Sequence, residues 1–281
     1  MKVGVLGASG FVGKHLCPAL RERGDEIVTA SLRDPGAAAQ ALAACDAVVN
    51  LSGEAVAQRW TPEAKHAISY SRIELPAQFL EALKAQASKP SAYISASAIG
   101  YYGASETATF TEESPPGNDF LAGVCAGWER ETFHARDLGL RAVAVRTGVA
   151  LGTDGGALAT MLPPFKMGAG GVIGSGKQWI SWIHIDDLVG IYLAAIDRGD
   201  GVYNATAPNP VTNAEFTKTL GKTLHRPTFL PVPDFAIKGM LGEGASVVTT
   251  GQCVSPQRTL GELHYAFRFP QLAEALQNLL G

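Results

Sequence analysis

The sequence predicts an α/β protein in which a doubly wound parallel sheet is followed by a smaller C-terminal lobe. Two observations support this prediction. Short apolar stretches alternate with helical patterns from the start of the chain to about residue 150. Three evenly spaced glycines, Gly7, Gly10 and Gly13, stand between the first apolar stretch and the first helical pattern. This combination is typical of open sheets that bind a ligand at the carboxyl ends of their strands.

The glycine turn, which we define as residues 7–13, has the context that dinucleotide binding requires. Residues 2–6 are long enough for one buried strand, and residues 15–23 show the pattern of an amphipathic helix. Gly7 permits a tight turn, Gly10 lets the backbone approach a pyrophosphate, and Gly13 lets the helix pack closely on the strand. The helix N-terminus attracts phosphate. We therefore predict a Rossmann-like fold in which the cofactor-binding residues of this turn are Gly7, Ser9, Gly10, Phe11, Val12 and Gly13.

The second predicted strand, residues 25–32, ends at two charged residues that bear on the choice of cofactor. In dinucleotide-binding folds the residue about 20 positions after the glycine turn meets the adenine ribose. Arg33 could pair its planar guanidinium with a 2′-phosphate, and we therefore expect NADP. The alternative is that Arg33 is a solvated surface charge and that Asp34 accepts hydrogen bonds from a 2′-hydroxyl, which would select NAD.

Small or hydroxyl-bearing residues follow three further predicted strands, at residues 47–51, 91–95 and 140–147. A serine at such a strand end can polarise a substrate oxygen, and a nearby tyrosine can donate a proton. Turn and packing roles are the alternatives for these residues. The candidate catalytic residues are Ser97, Tyr101 and Tyr102, and the remaining candidate cofactor-binding residues are Leu51, Ser52, Gly53, Ser95 and Thr147.

A long helical pattern separates the third strand from the fourth. Thr61 is the predicted N-cap of this helix and Pro62 its predicted first residue. Pro76 is expected to kink the helix or divide it in two. Arg72 lies within this pattern among apolar neighbours. Two roles remain for Arg72, which are contact with a bound anion and an ion pair at the protein surface.

The composition changes after Gly152. We expect a dinucleotide-binding domain over residues 1–152 and a mixed α/β lobe over residues 153–281, of which 230–281 are mostly helical. Parts of residues 180–206 are expected to complete the sheet of the first domain. Residues 153–176 are rich in glycine and predict irregular structure.

Two helices of this second half carry capping signals. Asp186 or Asp187 is expected to cap a helix over residues 188–196. Thr212 and Glu215 form a capping-box signature at the start of another helix.

Charge and cysteine usage argue against several classes of protein. The formal net charge is −3, which provides no electrostatic surface for nucleic acid or anionic membranes. No apolar stretch is long enough for a membrane span, and the N-terminus lacks a leader pattern, so we expect a cytoplasmic protein that acts on a small molecule. The four cysteines form no CxxC pair and the six histidines show no ligand spacing, so we predict no metal site.

Several segments together resemble the extended short-chain dehydrogenase/reductase superfamily. The closest resemblance is to its atypical branch of epimerase-family proteins, which are similar to NAD-dependent epimerases and dehydratases. The resemblance extends over nearly the whole chain and implies an NAD(P) cofactor and, as one option, a homodimer. The matching segments are residues 7–13, 50–54, 95–103, 146–152 and 182–187, together with 208–213 and 230–233.

The resemblance also implies a catalytic serine and a Tyr-x-x-x-Lys pair on the helix after the serine strand. In that superfamily the tyrosine exchanges a proton with the substrate oxygen, and the lysine lowers the tyrosine pKa and holds the nicotinamide ribose. In this chain the two positions hold Leu121 and Cys125, neither of which can do this work.

Three functions therefore remain open. The first is an NADP-dependent oxidoreductase or isomerase of a small molecule, with Tyr101 or Tyr102 as the proton donor. The second is a non-catalytic NADP(H)-binding sensor or scaffold. The third is a nucleotide-sugar epimerase, which ranks last because epimerisation through a keto intermediate depends on the missing pair.

Overall fold

The computed structural model describes residues 1–281. The strands are β1 (Lys2–Leu6), β2 (Glu26–Ala30), β3 (Ala47–Asn50), β4 (Ala92–Ala98), β5 (Thr109–Phe110), β6 (Arg141–Thr147), β7 (Val149–Leu151), β8 (Trp179–Ile180), β9 (Trp182–His184), β10 (Gly201–Ala205), β11 (Val211–Thr212) and β12 (Cys253–Val254). The α-helices are α1 (Phe11–Glu22), α2 (Pro35–Leu42), α3 (Pro62–Arg72), α4 (Glu74–Lys84), α5 (Phe120–Phe133), α6 (Gly156–Lys166), α7 (Ile185–Arg198), α8 (Asn213–Thr223), α9 (Asp234–Leu241), α10 (Ser246–Thr249), α11 (Gln257–Gly261) and α12 (Leu272–Leu280). Short 3-10 helices lie at Ile99–Tyr102, His134–Leu138 and Gly242–Ala245.

Six strands form one parallel sheet in the order β10-β6-β4-β3-β1-β2. The chain leaves β1 toward β2 on one side and later returns to β3 on the other, so β1 lies at a topological switch point. At the end of β1, Leu6 is paired with Ala30 of β2 and with Asn50 of β3. The loops after these three strands therefore start side by side. The predicted fold class, a doubly wound parallel sheet, is confirmed.

Two hydrophobic layers cover the faces of this sheet. Val3 and Val5 of β1 belong to a cluster of 22 buried residues that includes side chains from α1 and α7. Leu6 belongs to a second cluster, of 15 buried residues, with side chains from α2 and α4. Alternation of side chains between two buried layers is what a central parallel strand requires.

The second half of the chain divides its elements between the sheet and a separate lobe. β10 is the edge strand of the main sheet, and α7 packs against α1. A third cluster of 11 buried residues joins α6, α8 and α12 outside the sheet. No helix in the structure has the length and apolar character that crossing a bilayer requires.

The prediction of irregular structure over residues 153–176 is wrong for its central part, where α6 forms. This helix contains Pro163 and Pro164, which ordinarily disfavour a helix interior. Leu158, Leu162 and Phe165 are buried in the third cluster, and their burial outweighs the local preference.

The cap of α7 also differs from the prediction. The helix starts at Ile185, and the Nδ1 atom of His184 accepts the backbone N–H of Asp186 at 3.0 Å. Asp187 is fully buried and accepts hydrogen bonds from the Tyr265 hydroxyl and from two backbone N–H groups of the C-terminal segment. Its carboxylate therefore joins α7 to the C-terminal segment and does not cap the helix.

The helix start at Thr61 and the capping box of Thr212 and Glu215 are confirmed. Of the two outcomes expected for Pro76, the structure shows division. α3 ends at Arg72 and α4 begins at Glu74. The break falls there because a proline ring collides with the carbonyl group four residues earlier.

Candidate functional site

The glycine turn is packed so tightly that side chains are excluded from two of its positions. Gly7 has a φ of +80°, and a Cβ added to it would lie 2.8 Å from the carbonyl carbon of Leu51 and 2.9 Å from the Ser52 nitrogen. A Cβ on Gly13 would lie 2.5 Å from the Gly7 oxygen. The turn, α1 and the loop after β3 are therefore in backbone contact. The structure therefore brings Gly7 and Gly13 of the turn together with Leu51 and Ser52, as the cofactor prediction requires.

The N-terminus of α1 has no side-chain cap. Its N-cap residue is Gly10, and no acidic residue lies in the first turn. The backbone N–H groups of a first helical turn have no intrahelical acceptor, so those of Phe11, Val12 and Gly13 are available to an anion. Ser9 is exposed directly before this helix start. The dipole of the 12-residue helix favours negative charge at the same place.

The Phe11 side chain has a different role from its backbone. A Cβ added to Gly152, Gly155 or Gly156 would lie between 2.4 and 2.8 Å from the Phe11 ring. His15, one turn further along α1, forms an exposed hydrogen bond with the Asp154 carboxylate at 2.9 Å. The Phe11 ring thus anchors the loop before α6, and only its backbone N–H group is at the helix start.

Arg33 and Asp34 occupy different environments after β2. The Oδ1 atom of Asp34 accepts the Ala37 backbone N–H at 3.0 Å and caps α2. Arg33 is exposed, its guanidinium makes no hydrogen bond or ion pair within the chain, and only its backbone N–H is bonded, to Ser31 Oγ. The carboxylate therefore already has a structural role, whereas the guanidinium is free to bind a ligand.

A buried asparagine that the sequence analysis missed shapes the loop after β3. Asn50 is fully buried; its Oδ1 accepts the Ser52 backbone N–H at 3.0 Å, and its Nδ2 donates to the Tyr93 hydroxyl at 2.9 Å. These bonds hold Leu51 and Ser52 against the glycine turn. The signal available in the sequence was an amide side chain at the end of an apolar strand.

Ser95 and Thr147 lie on neighbouring strands, Ser95 in the middle of β4 and Thr147 at the end of β6, and they differ in access. Ser95 is fully buried and its Oγ donates to the Ala96 carbonyl at 3.0 Å. The structure therefore does not support a contact between the Ser95 side chain and a cofactor. Thr147 is half-buried at the end of β6, where it is paired with Ala98 and Ala205.

Ser97 and Tyr102 belong to a buried polar network centred on an ion pair. Two nitrogens of Arg146 donate to the two carboxylate oxygens of Glu129 at 2.7 Å each. Ser97 Oγ donates to the same carboxylate at 2.7 Å. The Tyr102 hydroxyl accepts from Arg146 at 2.9 Å and donates to Asn204 Oδ1 at 2.6 Å.

Both hydroxyl protons of this network are donated to acceptors within the chain. Burial opposes the charge on Arg146, but the hydrogen bonds and charge of Glu129 outweigh it and raise the Arg146 pKa. Burial also raises the Tyr102 pKa to about 12. Because Ser97 donates to Glu129 and Tyr102 to Asn204, the structure does not support the predicted catalytic roles of these two hydroxyl groups.

Tyr101 is the one candidate catalytic residue whose hydroxyl group is not already bonded within the chain. Its side chain is half-buried, and the Arg146 Cζ lies 3.5 Å from the centre of its ring. The ring also makes an edge contact with Tyr102. The network thus fixes the Tyr101 ring and leaves its hydroxyl group unpaired.

Leu121 and Cys125 of α5 lie against the end of β4. A Cβ on Gly100 would lie 3.5 Å from Leu121 Cβ and 3.8 Å from Cys125 Sγ. Burial raises the Cys125 pKa to about 12, so its thiol stays protonated at neutral pH. Neither side chain can transfer a proton to or from a substrate.

The parallel sheet, the glycine turn and the uncapped start of α1 together define a Rossmann-like protein. The model of the NAD dependent epimerase/dehydratase family matches residues 3–206, and that of a domain of unknown function, DUF1731, matches residues 232–279. The chain belongs to the NAD dependent epimerase/dehydratase family.

Relatives of known name match over the full chain. The chain is 43% identical to the epimerase family protein SDR39U1 homolog, chloroplastic, of Arabidopsis thaliana, and covers 87% of it. It is 39% identical to human epimerase family protein SDR39U1 and covers 100% of it. A crystal structure of the human protein with NADPH superimposes with a TM-score of 0.90 and 35% identity, covering 100% of this chain and 99% of that chain.

Proposed function

We propose that this protein binds NADP(H) across the carboxyl edge of its sheet. The observation that carries the proposal is the contrast after β2, where Asp34 caps α2 and Arg33 is exposed and unpaired. A carboxylate that already accepts a helix N–H is a poor acceptor for a ribose hydroxyl, whereas a free guanidinium fits a 2′-phosphate. The human relative crystallised with NADPH supports the same choice of cofactor.

The residues present fit a dinucleotide. A Cβ on Gly10 would have only the Gly7 oxygen within 4 Å, at 3.3 Å, so the turn is open to a ligand there, and the first N–H groups of α1 suit a diphosphate. Arg33 would hold the 2′-phosphate. The residues that would line the rest of the cofactor are Ser9, Gly10, Phe11, Val12, Leu51, Ser52, Gly53 and Thr147.

The second part of the proposal is an oxidoreductase or isomerase reaction on a small molecule, in which the cofactor supplies hydride-transfer chemistry. Tyr101 is the residue that would exchange a proton with the substrate oxygen. Its unpaired hydroxyl group and its ring, fixed against Arg146, support this role. Nucleotide-sugar epimerisation ranks behind it, because the positions of the Tyr-Lys pair hold Leu121 and Cys125.

A non-catalytic NADP(H)-binding protein is the second candidate function. The observation that favours it is the buried, protonated state of Cys125 beside Leu121, where the superfamily resemblance implies a lysine and a tyrosine. This candidate and the enzyme share the cofactor site and differ in whether a substrate consumes NADPH.

Calorimetric titration with NADPH, NADP⁺, NADH and NAD⁺ tests the cofactor proposal. We expect a preference for the phosphorylated pair, and Arg33→Ala should weaken NADPH binding by about 10- to 150-fold, the equivalent of about 1.5–3 kcal/mol for hydrogen bonds to a charged group. NADH binding should not change. Asp34→Asn is the matched control and should keep the preference. A preference that survives Arg33→Ala but is lost in Asp34→Asn would refute the assignment.

A substrate screen then separates the two candidate functions. Purified protein is incubated with NADPH and a broad panel of aldehydes, ketones and oxo acids, and the absorbance of reduced nicotinamide is followed. Substrate-dependent oxidation that falls at least tenfold in Tyr101→Phe supports the enzyme. Tight NADPH binding with no oxidation across the panel supports the non-catalytic protein.

A further inference from the structure

Arg72, the last residue of α3, carries a guanidinium that forms no ion pair within the chain. Its Nη1 donates to the Ile68 carbonyl at 3.3 Å and to Ser71 Oγ at 3.5 Å, and its Nε and Nη2 donate to no atom of the chain. None of the ion pairs of the protein includes this residue. Burial lowers the Arg72 pKa, and the negative charge of Glu54 acts in the opposite direction without offsetting it.

Two other arginines, one buried and one half-buried like Arg72, have acceptors within the chain. Arg146 makes a two-point ion pair with Glu129. Arg141 donates to three backbone carbonyl groups at the end of α7, those of Ala195, Ile196 and Gly199. Removing a guanidinium from water without giving it acceptors is costly, so a purely structural arginine is expected to be paired as these two are. Arg72 departs from that pattern.

Arg72 lies near the carboxyl edge of the sheet, where ligands of such folds bind. A Cβ on Gly53, in the loop after β3, would lie 2.9 Å from the Arg72 Cζ. Gly53 follows Ser52, whose backbone touches the glycine turn. The absence of a side chain at Gly53 therefore gives the guanidinium room beside the loop that we assign to the cofactor.

The other side of the guanidinium faces an aromatic ring. Its Cζ lies 5.0 Å from the ring centre of Trp128 on α5. Trp128 is buried, and its Nε1 is a second donor without an acceptor in the protein. Stacking fixes the plane of a guanidinium without using its N–H groups. The pair thus combines guanidinium N–H groups that no atom of the chain accepts with a buried indole N–H that has no acceptor.

We propose that Arg72 is an anion-binding residue of the ligand cleft and takes a planar pair of negatively charged oxygens, as in a phosphate or a carboxylate. The inference rests on the proposed function for the identity of the cleft. Arg33 follows β2 and Gly53 follows β3, on opposite sides of β1, so Arg72 does not serve the 2′-phosphate. The oxygens come either from the cofactor diphosphate or from a carboxylate of the substrate.

The test compares wild-type protein with Arg72→Gln and Arg72→Lys. Arg136→Gln is the matched control, because Arg136 also stacks on an aromatic ring, Phe133, at 4.8 Å, but pairs with exposed Asp200 at the surface. The ligands are NADPH, adenosine 2′-monophosphate, inorganic pyrophosphate and oxalate. Pyrophosphate and oxalate are titrated into the cofactor-free protein, and oxalate also into protein saturated with NADPH.

Two results support the inference and distinguish its sources. If the diphosphate is the ligand, Arg72→Gln weakens NADPH and pyrophosphate binding at least tenfold and leaves adenosine 2′-monophosphate unchanged. If a substrate carboxylate is the ligand, NADPH binding is unchanged and oxalate binding falls at least tenfold. Arg136→Gln binds every ligand like the wild type. Arg72→Lys, which keeps the charge but lacks the planar fork, is weakened by a smaller factor.

Equal affinities of wild type and Arg72→Gln for all four ligands overturn the inference. If Arg72→Gln does not fold, equal affinities of wild type and Arg72→Lys overturn it in the same way. Failure of the cofactor proposal gives a different result, in which neither NADPH nor adenosine 2′-monophosphate binds the wild type. The titrations of cofactor-free protein with pyrophosphate and oxalate still report on Arg72 in that case.

Discussion

Replacing Glu129 with glutamine tests whether the buried network holds the end of the sheet together. Glu129 accepts three hydrogen bonds of 2.7 Å, one from Ser97 and two from Arg146, and its side chain is 7% exposed. Glutamine has a similar shape but no charge, so the buried Arg146 guanidinium would lose its counter-ion. Breaking a buried ion pair by removing one partner costs about 3–5 kcal/mol. At about 2 °C per kcal/mol for a domain of this size, the melting temperature should fall by roughly 6–10 °C.

The chain contains a control with the same geometry at the surface. Arg258 and Glu262 also form a two-point ion pair, at 2.8 and 2.7 Å, but their side chains are 31% and 51% exposed. Glu262→Gln should therefore cost no more than about 1 kcal/mol, because water compensates the lost partner. The assay is urea unfolding at equilibrium, with thermal melting as a second measurement.

Equal losses of unfolding free energy in Glu129→Gln and Glu262→Gln would refute the reasoning, since burial would then make no difference. A double variant gives an independent check. Glu129→Leu combined with Arg146→Met removes both charges and should recover much of the stability that either single change loses. The cost then belongs to the unpaired charge that each single change leaves behind.

Three further predictions concern individual side chains. Gly13→Ala should abolish tight NADPH binding and lower the unfolding free energy by about 1–3 kcal/mol, because its Cβ would meet backbone atoms at 2.5 Å. Gly123→Ala is the control, since a Cβ there would have no atom within 4 Å, and it should change neither calorimetric NADPH binding nor urea unfolding. Cys253 is half-buried, whereas Cys125 is buried and has a pKa raised to about 12. In timed alkylation at pH 8 followed by mass spectrometry, Cys253 should therefore react well before Cys125. The reverse order would contradict this difference in burial. Burial lowers the His184 pKa. As the pH falls below about 6.5, the imidazole therefore takes up a proton more readily in the unfolded chain than in the folded chain, which destabilises the fold. The urea midpoint should drop more between pH 7 and pH 5 in the wild type than in His184→Gln.

The predictions that succeeded from sequence were those carried by local chemistry. The Thr61 cap and the Thr212–Glu215 capping box are confirmed because each bond joins residues three positions apart. For Arg33 and Asp34, the sequence favoured NADP but did not exclude the alternative. Whether Asp34 faced a ribose or capped α2 depended on where that helix began, and helix boundaries are uncertain from sequence.

The sequence was least informative about contacts between distant parts of the chain. Ser97 and Tyr102 have the residue types and strand-end positions of catalytic groups, but Glu129 and Asn204 accept their protons from other elements. Sequence patterns contain no information on such pairings unless the partners are close in sequence. α6 formed against its proline content for the same reason, because the third hydrophobic cluster lies across three helices.

The sequence by itself determined the class of this protein. Strand and helix periodicity and the glycine turn are local consequences of backbone geometry, and together they specify a doubly wound sheet with a dinucleotide-type turn. Only the tertiary structure decided which polar side chains remain free. It paired Arg146 with Glu129, committed Asp34 to a helix cap, and left the Arg33 and Arg72 guanidinium groups without an ion pair. A charged group is satisfied or left available by its neighbours in space, and those neighbours exist only after the chain has folded.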